Sequence, residues 1–242
     1  MKLTFLGTKG NIKAKTRRHN KHSVLFVEQK NTKIIIDWGL DWLKKTNLLK
    51  KLKISGIFLT HAHPDHAEGL KYGAPYPVYA TKETWEIIKK YPIEEKIVLK
   101  PYKKVEVGNL TIQTFPVIHS LRAPAVGYKI SDGKSTIFYV SDLVSIIEQK
   151  RALKNVDIYI GDGASITRPI IRYRDNIPMG HTTIKNQIMW CAKEGVPMAI
   201  FTHCGSQIVK GDGRTLGAKI RKIGKTYGVI IKVAYDGMVL SI

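Results

Sequence analysis

The stretch FLTHAHPDHAEG, Phe58 to Gly69, places three histidines and two acids within a few positions. His61 and His63 are two apart, so an extended backbone puts both side chains on one side. Pro64 then forces a turn, and the turn lets Asp65 and His66 face back toward the same space. Imidazoles mixed with a carboxylate suit zinc, manganese or iron better than calcium, which takes oxygen ligands. There are more donors than one tetrahedral ion uses, and two adjacent divalent ions are the natural solution. A lone histidine is usually a surface residue or a satisfied core residue. The packed set makes metal binding the expected reading here.

The flanking chain repeats the theme. KIIIDWG, KISGIFLTH, LTIQTFPVIH, STIFYVSD, NVDIYIGD and PMAIFTH read as β-branched, apolar strands that end at or just before Asp37, His61, His119, Asp142, Asp162 and His203. KLTFLG and SVLFVE precede them as strands, and VIIKVAYDGMVLSI closes the chain as strands. TKETWEIIKKY reads as a helix with Thr81 as its N-cap, TTIKNQIMWCAKEG as a helix stopped by Gly195, and RTLGAKIRKIGKTYG as a third. Polar residues at the ends of buried strands put chemistry on a rigid scaffold, and a series of them predicts one cleft lined from many strands.

The 242 residues include 40 Lys and Arg against 19 Asp and Glu, a net charge of +21. Such a surface draws in polyanions, so a phosphate-bearing substrate, nucleic acid included, is expected; a lysine-coated protein without such a partner is the bland alternative. No linker, low-complexity tract or repeat interrupts the chain, which reads as one domain over residues 1–242. No apolar run is long enough for a bilayer, and MKLTFLGTKG lacks the apolar core of a signal peptide. Cys191 and Cys204 make no disulfide framework. No membrane partner and a reducing cytoplasm are the expectations.

Taken together these segments resemble the metallo-β-lactamase superfamily of metal-dependent hydrolases, over nearly the whole chain and in order. IIIDWG with Asp37, THAHPDH, PVIHS with His119, YVSDL with Asp142 and FTHCG with His203 match its five motifs. The resemblance implies an α/β fold of four layers, an αββα sandwich of two mixed sheets with helices outside. It implies one metal on His61, His63 and His119 and a second on Asp65, His66 and His203, bridged by Asp142 and by a water or hydroxide. Zinc is the expected ion, with manganese and iron compatible. Asp65 would also serve catalysis, and Asp37 would orient the site through hydrogen bonds. A homodimer is implied as well.

The segment MGHTTIKNQIMWCAKEGVPMAIFTHCG is similar to the ribonuclease Z branch, where a His-Ser-Thr motif opens a helix. His181, Thr182 and Thr183 stand in that place, with Gln187 at matching spacing. The branch implies that His181 contacts the scissile phosphate and helps the leaving group depart, supported by an upstream acid. Asp162 stands there, where the family usually has a His-Glu pair; the shorter acid keeps the charge and reduces the reach. Arg168, Arg172 and Arg174 precede His181, and arginine pairs with phosphate oxygens in a bidentate way, so these are candidate substrate contacts, with Tyr173 as a base-stacking partner. The equal alternative is a solvated loop. Arg17, Arg18, His19 and His22 lie in a basic N-terminal loop that resembles one bordering the site in related enzymes, which makes them candidate contacts for substrate phosphates, Arg18 foremost; a mobile basic loop is the equal alternative. His119 is followed too closely by the next motif to leave room for the long arm that grips tRNA in ribonuclease Z. A compact phosphodiesterase acting on a cyclic nucleotide, a small phosphodiester or a nucleic-acid end fits better.

A lactonase or thioesterase on the same scaffold is the alternative. A non-catalytic nucleic-acid binder would be marked by lost ligands, and none is missing; a redox diiron protein would bring a flavin domain, which the chain lacks. Cys204 neighbours His203 on a strand, points the opposite way, and reads as packing.

Overall fold

The computed structural model describes Met1–Ile242. In chain order the strands are β1 (Lys2–Gly7), β2 (Val24–Gln29), β3 (Thr32–Ile36), β4 (Gly56–Phe58), β5 (Val78–Thr81), β6 (Lys96–Leu99), β7 (Lys104–Val107), β8 (Leu110–Ile118), β9 (Ala125–Ser131), β10 (Thr136–Tyr139), β11 (Ser145–Ile146), β12 (Ile158–Asp162), β13 (Ile170–Arg174), β14 (Ile177–His181), β15 (Met198–Thr202), β16 (Ile230–Val233) and β17 (Met238–Ser241). The α-helices are α1 (Thr46–Leu52), α2 (Pro64–Ala67), α3 (Lys82–Ile87), α4 (Gln149–Leu153), α5 (Ile184–Glu194), α6 (Ser206–Lys210) and α7 (Gly213–Tyr227).

One sheet of seven strands runs β17-β1-β2-β3-β4-β5-β6. A second, of eight, runs β11-β8-β9-β10-β12-β15-β16 with β7 on β8. Both are mixed, with parallel pairing at β3/β4/β5/β6 and at β10/β12/β15/β16.

Strand alternation explains the layering. Along β3, Ile34 and Ile36 enter a cluster shared by the two sheets, whereas Ile35 turns outward to Trp42, Leu49 and Trp85. Along β12, Ile158 and Ile160 face the same inter-sheet cluster and Tyr159 faces outward. β15 sends Ile200 inward and Ala199 and Phe201 out to Ile184 and Ile188 of α5 and Ile220 of α7. Each central strand is buried on both faces, so period-two apolar patterning gives way to nearly continuous apolar runs. The result is the αββα sandwich that the resemblance implies.

The helix signals hold at their caps, although α3 stops at Ile87, short of the Tyr91 that the sequence pattern reaches. Thr81 caps α3 by accepting from Thr84 N, and Gly195 ends α5 in the left-handed conformation at φ 74°. The segment before His181 is neither loop nor helix. It forms a separate two-stranded ribbon, β13 with β14, turned at Asp175 and Asn176, whose φ values of 50° and 61° belong to a tight hairpin turn. No helix is long and apolar enough to cross a membrane.

Ile200 is fully buried between the sheets. Ile200→Ala is expected to cost about 2–5 kcal/mol. That lowers the melting temperature by roughly 5–15 °C for a chain of this size, readable by calorimetry.

Candidate metal centre

Parallel strands of both sheets end at one edge of the sandwich. There β3 is followed by Asp37, β4 by Thr60 and His61, and β10 by Asp142; β12 ends on Asp162 and β15 is followed by His203. β8, running antiparallel, is followed by His119, and the hairpin strand β14 ends on His181. The turn at Pro64 becomes the short helix α2, which carries Asp65 and His66. Gly39 lets this turn dock: a Cβ there would lie 1.7 Å from the Asp65 carbonyl oxygen.

Two groups of donors result. His61 Nε2 lies 2.9 Å from His63 Nδ1, which is 3.3 Å from His119 Nε2. The outer nitrogens of two of these rings are pinned: His61 Nδ1 meets Thr60 Oγ1 at 3.0 Å, and His119 Nδ1 meets the Gly180 carbonyl at 3.0 Å. Thr60 Oγ1 donates to Asp37, so it accepts from His61, and the Gly180 carbonyl can only accept. Both rings therefore turn lone pairs toward His63. Burial drives His61 well below the ordinary imidazole range and takes His63 down to about 4, with neighbouring imidazoles adding to both shifts. Three neutral imidazoles that turn lone pairs on one point fit a cation.

The second group is Asp65, His66 and His203. Asp65 Oδ2 lies 3.1 Å from His66 Nε2 and 3.1 Å from His203 Nε2. His66 Nδ1 donates to Asp37 Oδ2 at 2.8 Å, so Asp37 fixes the tautomer of His66 as Thr60 fixes that of His61. Asp142 stands between the groups, 2.9 Å from His66 Nε2, 3.4 Å from His203 Nε2 and 3.9 Å from His119 Nε2. Burial works to raise the Asp65 and Asp142 carboxyls, but adjacent imidazoles outweigh it and hold both well below the usual range. The same acids overcome burial at His66, raising it well above the ordinary range, and at His203, raised to about 10. The carboxylates thus demand positive charge, and a divalent ion supplies it in place of imidazolium protons. Two buried atoms accord with that fit: His66 Nε2 and Asp142 Oδ2 lie 2.9 Å apart without the geometry of a hydrogen bond. Asp37 and His203 are both held in the left-handed backbone region, at φ 65° and 50°.

His181 adjoins this cluster. Its Nδ1 is 2.7 Å from Asp162 Oδ2, and its ring stacks on His203 with centroids 5.7 Å apart. Burial lowers the pKa of His181, and the Asp162 carboxylate reverses the sign and raises it. Asp162 is held by its own network, accepting from Ala164 N at 2.8 Å and Leu143 N at 3.3 Å. Gln187 locks its backbone: Nε2 donates to Asp162 O at 2.8 Å, while Oε1 accepts from Asp162 N and Tyr159 OH. The reach of an aspartate suffices because β12 ends on the residue itself.

The structure brings Asp37, His61, His63, Asp65, His66, His119, Asp142, Asp162, His181 and His203 to one place. It does not bring Arg18 there. Its guanidinium lies over the Tyr235 ring at 4.5 Å and borders a cavity of about 250 Å³ against α6 and α7. His19 and His22 are buried, on Thr8 and Asp41, rather than presented to a substrate. Arg168, Arg172 and Arg174 are exposed at the hairpin. Cys204 is fully buried in the outer core, as packing predicts. Sequence reasoning missed Thr60, whose only signal was its place beside His61. It also missed the buried Lys9, paired with Asp41 at 3.1 Å.

A match to the Beta-lactamase superfamily domain runs over residues 32–204, and the chain belongs to that family. Exodeoxyribonuclease WalJ of Streptococcus pneumoniae is 28% identical over 156 residues, which is 56% of this chain and 55% of the relative. This chain thus spans about half the length of the first curated relatives it matches. Ribonuclease Z of Methanopyrus kandleri is 29% identical over 284 aligned positions, covering 99% of this chain and 97% of the relative. Among solved structures, a diphosphatase of the PhnP family superposes with a TM-score of 0.76 at 21% identity, over 100% of this chain and 97% of that one, a likeness of fold.

Asp37 contacts no donor directed at the centre except through His66 and Thr60. Asp37→Asn is expected to weaken metal affinity about 10–100-fold, measured by competition with a chelating dye, because the tautomer of His66 is then no longer enforced.

Proposed function

We propose that the chain is a dinuclear metal-dependent hydrolase that cleaves phosphodiesters, as a nuclease or phosphodiesterase. The observation that carries this reading is the His181–Asp162 pair, 2.7 Å long and set beside the His/Asp cluster. The names of the relatives, exodeoxyribonuclease and ribonuclease Z, support it.

His61, His63 and His119 would hold one ion, and Asp65, His66 and His203 the other, with Asp142 shared. Ions held there supply Lewis acidity and a water activated near neutral pH. The donor set favours zinc, with manganese or iron compatible. The rest is done by this chain's own groups. Asp162, fully buried, takes the Nδ1 side of His181 and leaves Nε2 for the substrate; the His181 side chain is 21% exposed and can be reached from solvent. A proton on that imidazole passes to the oxygen that departs as the phosphodiester breaks, where charge is developing. Gln187 keeps Asp162 from turning away during that transfer. Substrate and partner follow from the same reading: a phosphate-bearing substrate, with a homodimer expected on the resemblance alone and read by sedimentation.

The test is hydrolysis of bis-p-nitrophenyl phosphate. Protein stripped by chelator is expected to be inactive and to recover with zinc or manganese. Elemental analysis is expected to find two ions per chain. His181→Ala is expected to lower kcat by about 10²–10⁴-fold with the ions retained. No turnover in protein holding two ions would move the reading to lactones and thioesters.

A further inference from the structure

The β13–β14 hairpin has no part in holding the centre, yet it is built onto it. Its root is fixed twice, on β14 and just beyond it: Gly180 N donates to the His119 carbonyl at 2.9 Å, and Thr182 N to that of Leu143 at 2.8 Å. On the β13 side, Ser165 Oγ donates to the Arg168 carbonyl, and Ile184 N at the start of α5 donates to Ser165 O at 2.8 Å. Gly180 permits the close crossing at φ 120°, where a Cβ would lie 2.0 Å from the Ile170 carbonyl oxygen. The ribbon beyond this root is exposed. Five residues per strand extend it by roughly 17 Å.

Register shows what the ribbon presents. Ile170 pairs with His181, Arg172 with Met179 and Arg174 with Ile177. Directly opposed residues share a face, and so do residues two apart along a strand. Arg172 and Arg174 therefore occupy the face of β13 that carries Ile170, the cross-strand partner of His181, spaced by about 7 Å. Of the hairpin's two arginines, only Arg174 has an acidic neighbour within 4 Å, Asp175 at 3.8 Å, and both are well exposed. Tyr173 is 72% exposed and Ile170 55%, an unusual cost in water for a two-stranded ribbon. Exposed arginines spaced along one face in line with the cluster are the means by which proteins follow the phosphates of a single strand; Tyr173 alternates to the opposite face of the ribbon.

We propose that this hairpin is a binding arm for single-stranded nucleic acid, along which the strand leaves the centre with successive phosphates on Arg172 and Arg174. It rests on the phosphodiesterase reading only for what happens at the centre, and it narrows the substrate to a polynucleotide with several phosphates. The arm takes the place of the long tRNA-gripping insertion for which the chain has no room.

The experiment is fluorescence anisotropy of a labelled single-stranded oligonucleotide, as DNA and as RNA, over a salt series, in a His181→Ala background that spares the strand. Replacing Arg172 and Arg174 together by Ala is expected to weaken binding at least tenfold. The slope of log affinity against log salt should become shallower by about 1.4, at ~0.7 per phosphate contact on a single strand. Arg-to-Lys replacements should restore most of the slope. Tyr173→Ala, on the opposite face of the ribbon, should leave affinity and slope in place. The tighter of the two strands identifies the sugar. With His181 intact, the same pair of alanines should lower kcat/KM for the oligonucleotide relative to that for bis-p-nitrophenyl phosphate. Unchanged affinity and slope, or no binding by the parent, would overturn the arm, and a change only in sedimentation would reassign the ribbon to a contact between copies. Binding by the parent that the two alanines abolish, in a protein that with His181 intact hydrolyses no phosphodiester, would sink the functional reading and leave the arm standing.

Discussion

The structure depends on one electrostatic constraint: two carboxylates and five imidazoles share a buried volume where positive charge must be present. Asp65 and Asp142 lie at hydrogen-bonding distance from His66, and Asp65 from His203. None of these four side chains can leave for water. Buried charges of one sign are tolerated only with compensation, and several kcal/mol per uncompensated ion is the scale of the penalty. Much of the surrounding architecture serves that compensation. Asp37, itself fully buried, spends its oxygens on Thr60 and His66. Thr60 passes the restraint on to His61. Rings that would otherwise rotate to satisfy one another are held with their lone pairs converging.

That constraint also explains where backbone strain is found. Asp37 and His203 adopt left-handed conformations immediately after buried parallel strands. A strand continuing in extended geometry would carry each side chain past the cleft, and the change of hand turns it into the cleft. Nine non-glycine residues have positive φ; several of the others lie at turns and a helix end, where Lys53, Asp175 and Asn176 are free to adopt it. At Asp37 and His203 it is held by neighbouring structure: Asp37 N donates to Phe58 O, and His203 N to Ser23 Oγ. Such positions cost about 1–3 kcal/mol each and persist where the surroundings over-determine them.

Much of this was legible in the sequence because it is local. THAHPDH carries four donors on adjacent backbone, and the remaining donors close apolar strands whose composition is unmistakable. The caps at Thr81 and Gly195 were legible for the same reason. What was not legible depends on distance. Arg18 looked like a phosphate contact because the loop around it is basic; it is taken by Tyr235, more than two hundred residues away. His19 and His22 looked available for the same reason, and Thr8 and Asp41 consume them. The hairpin had a weak signal, IIRYR and IPMGH flanking a two-residue Asp-Asn turn. β13 is largely exposed and β14 mostly half-buried, so no apolar alternation announced them, and Pro169 and Pro178 spoke for a loop.

The surplus of positive charge is best understood from how the hairpin is attached. A net charge of +21 spread over a surface raises encounter with any polyanion and selects none. Selectivity needs charge fixed in register with the reacting group. The hairpin is tied to His119 by two bonds at one residue: the Gly180 amide donates to the His119 backbone, and the Gly180 carbonyl accepts from the His119 ring. His119 and the root of the ribbon are therefore tied to one another at both backbone and ring. A strand bound as proposed would therefore pull on the imidazole that the ring hydrogen bond orients. A flexible basic tail would contribute the same charge without that coupling. On the proposed reading, the ribbon would convert part of a diffuse attraction into a defined path toward His181.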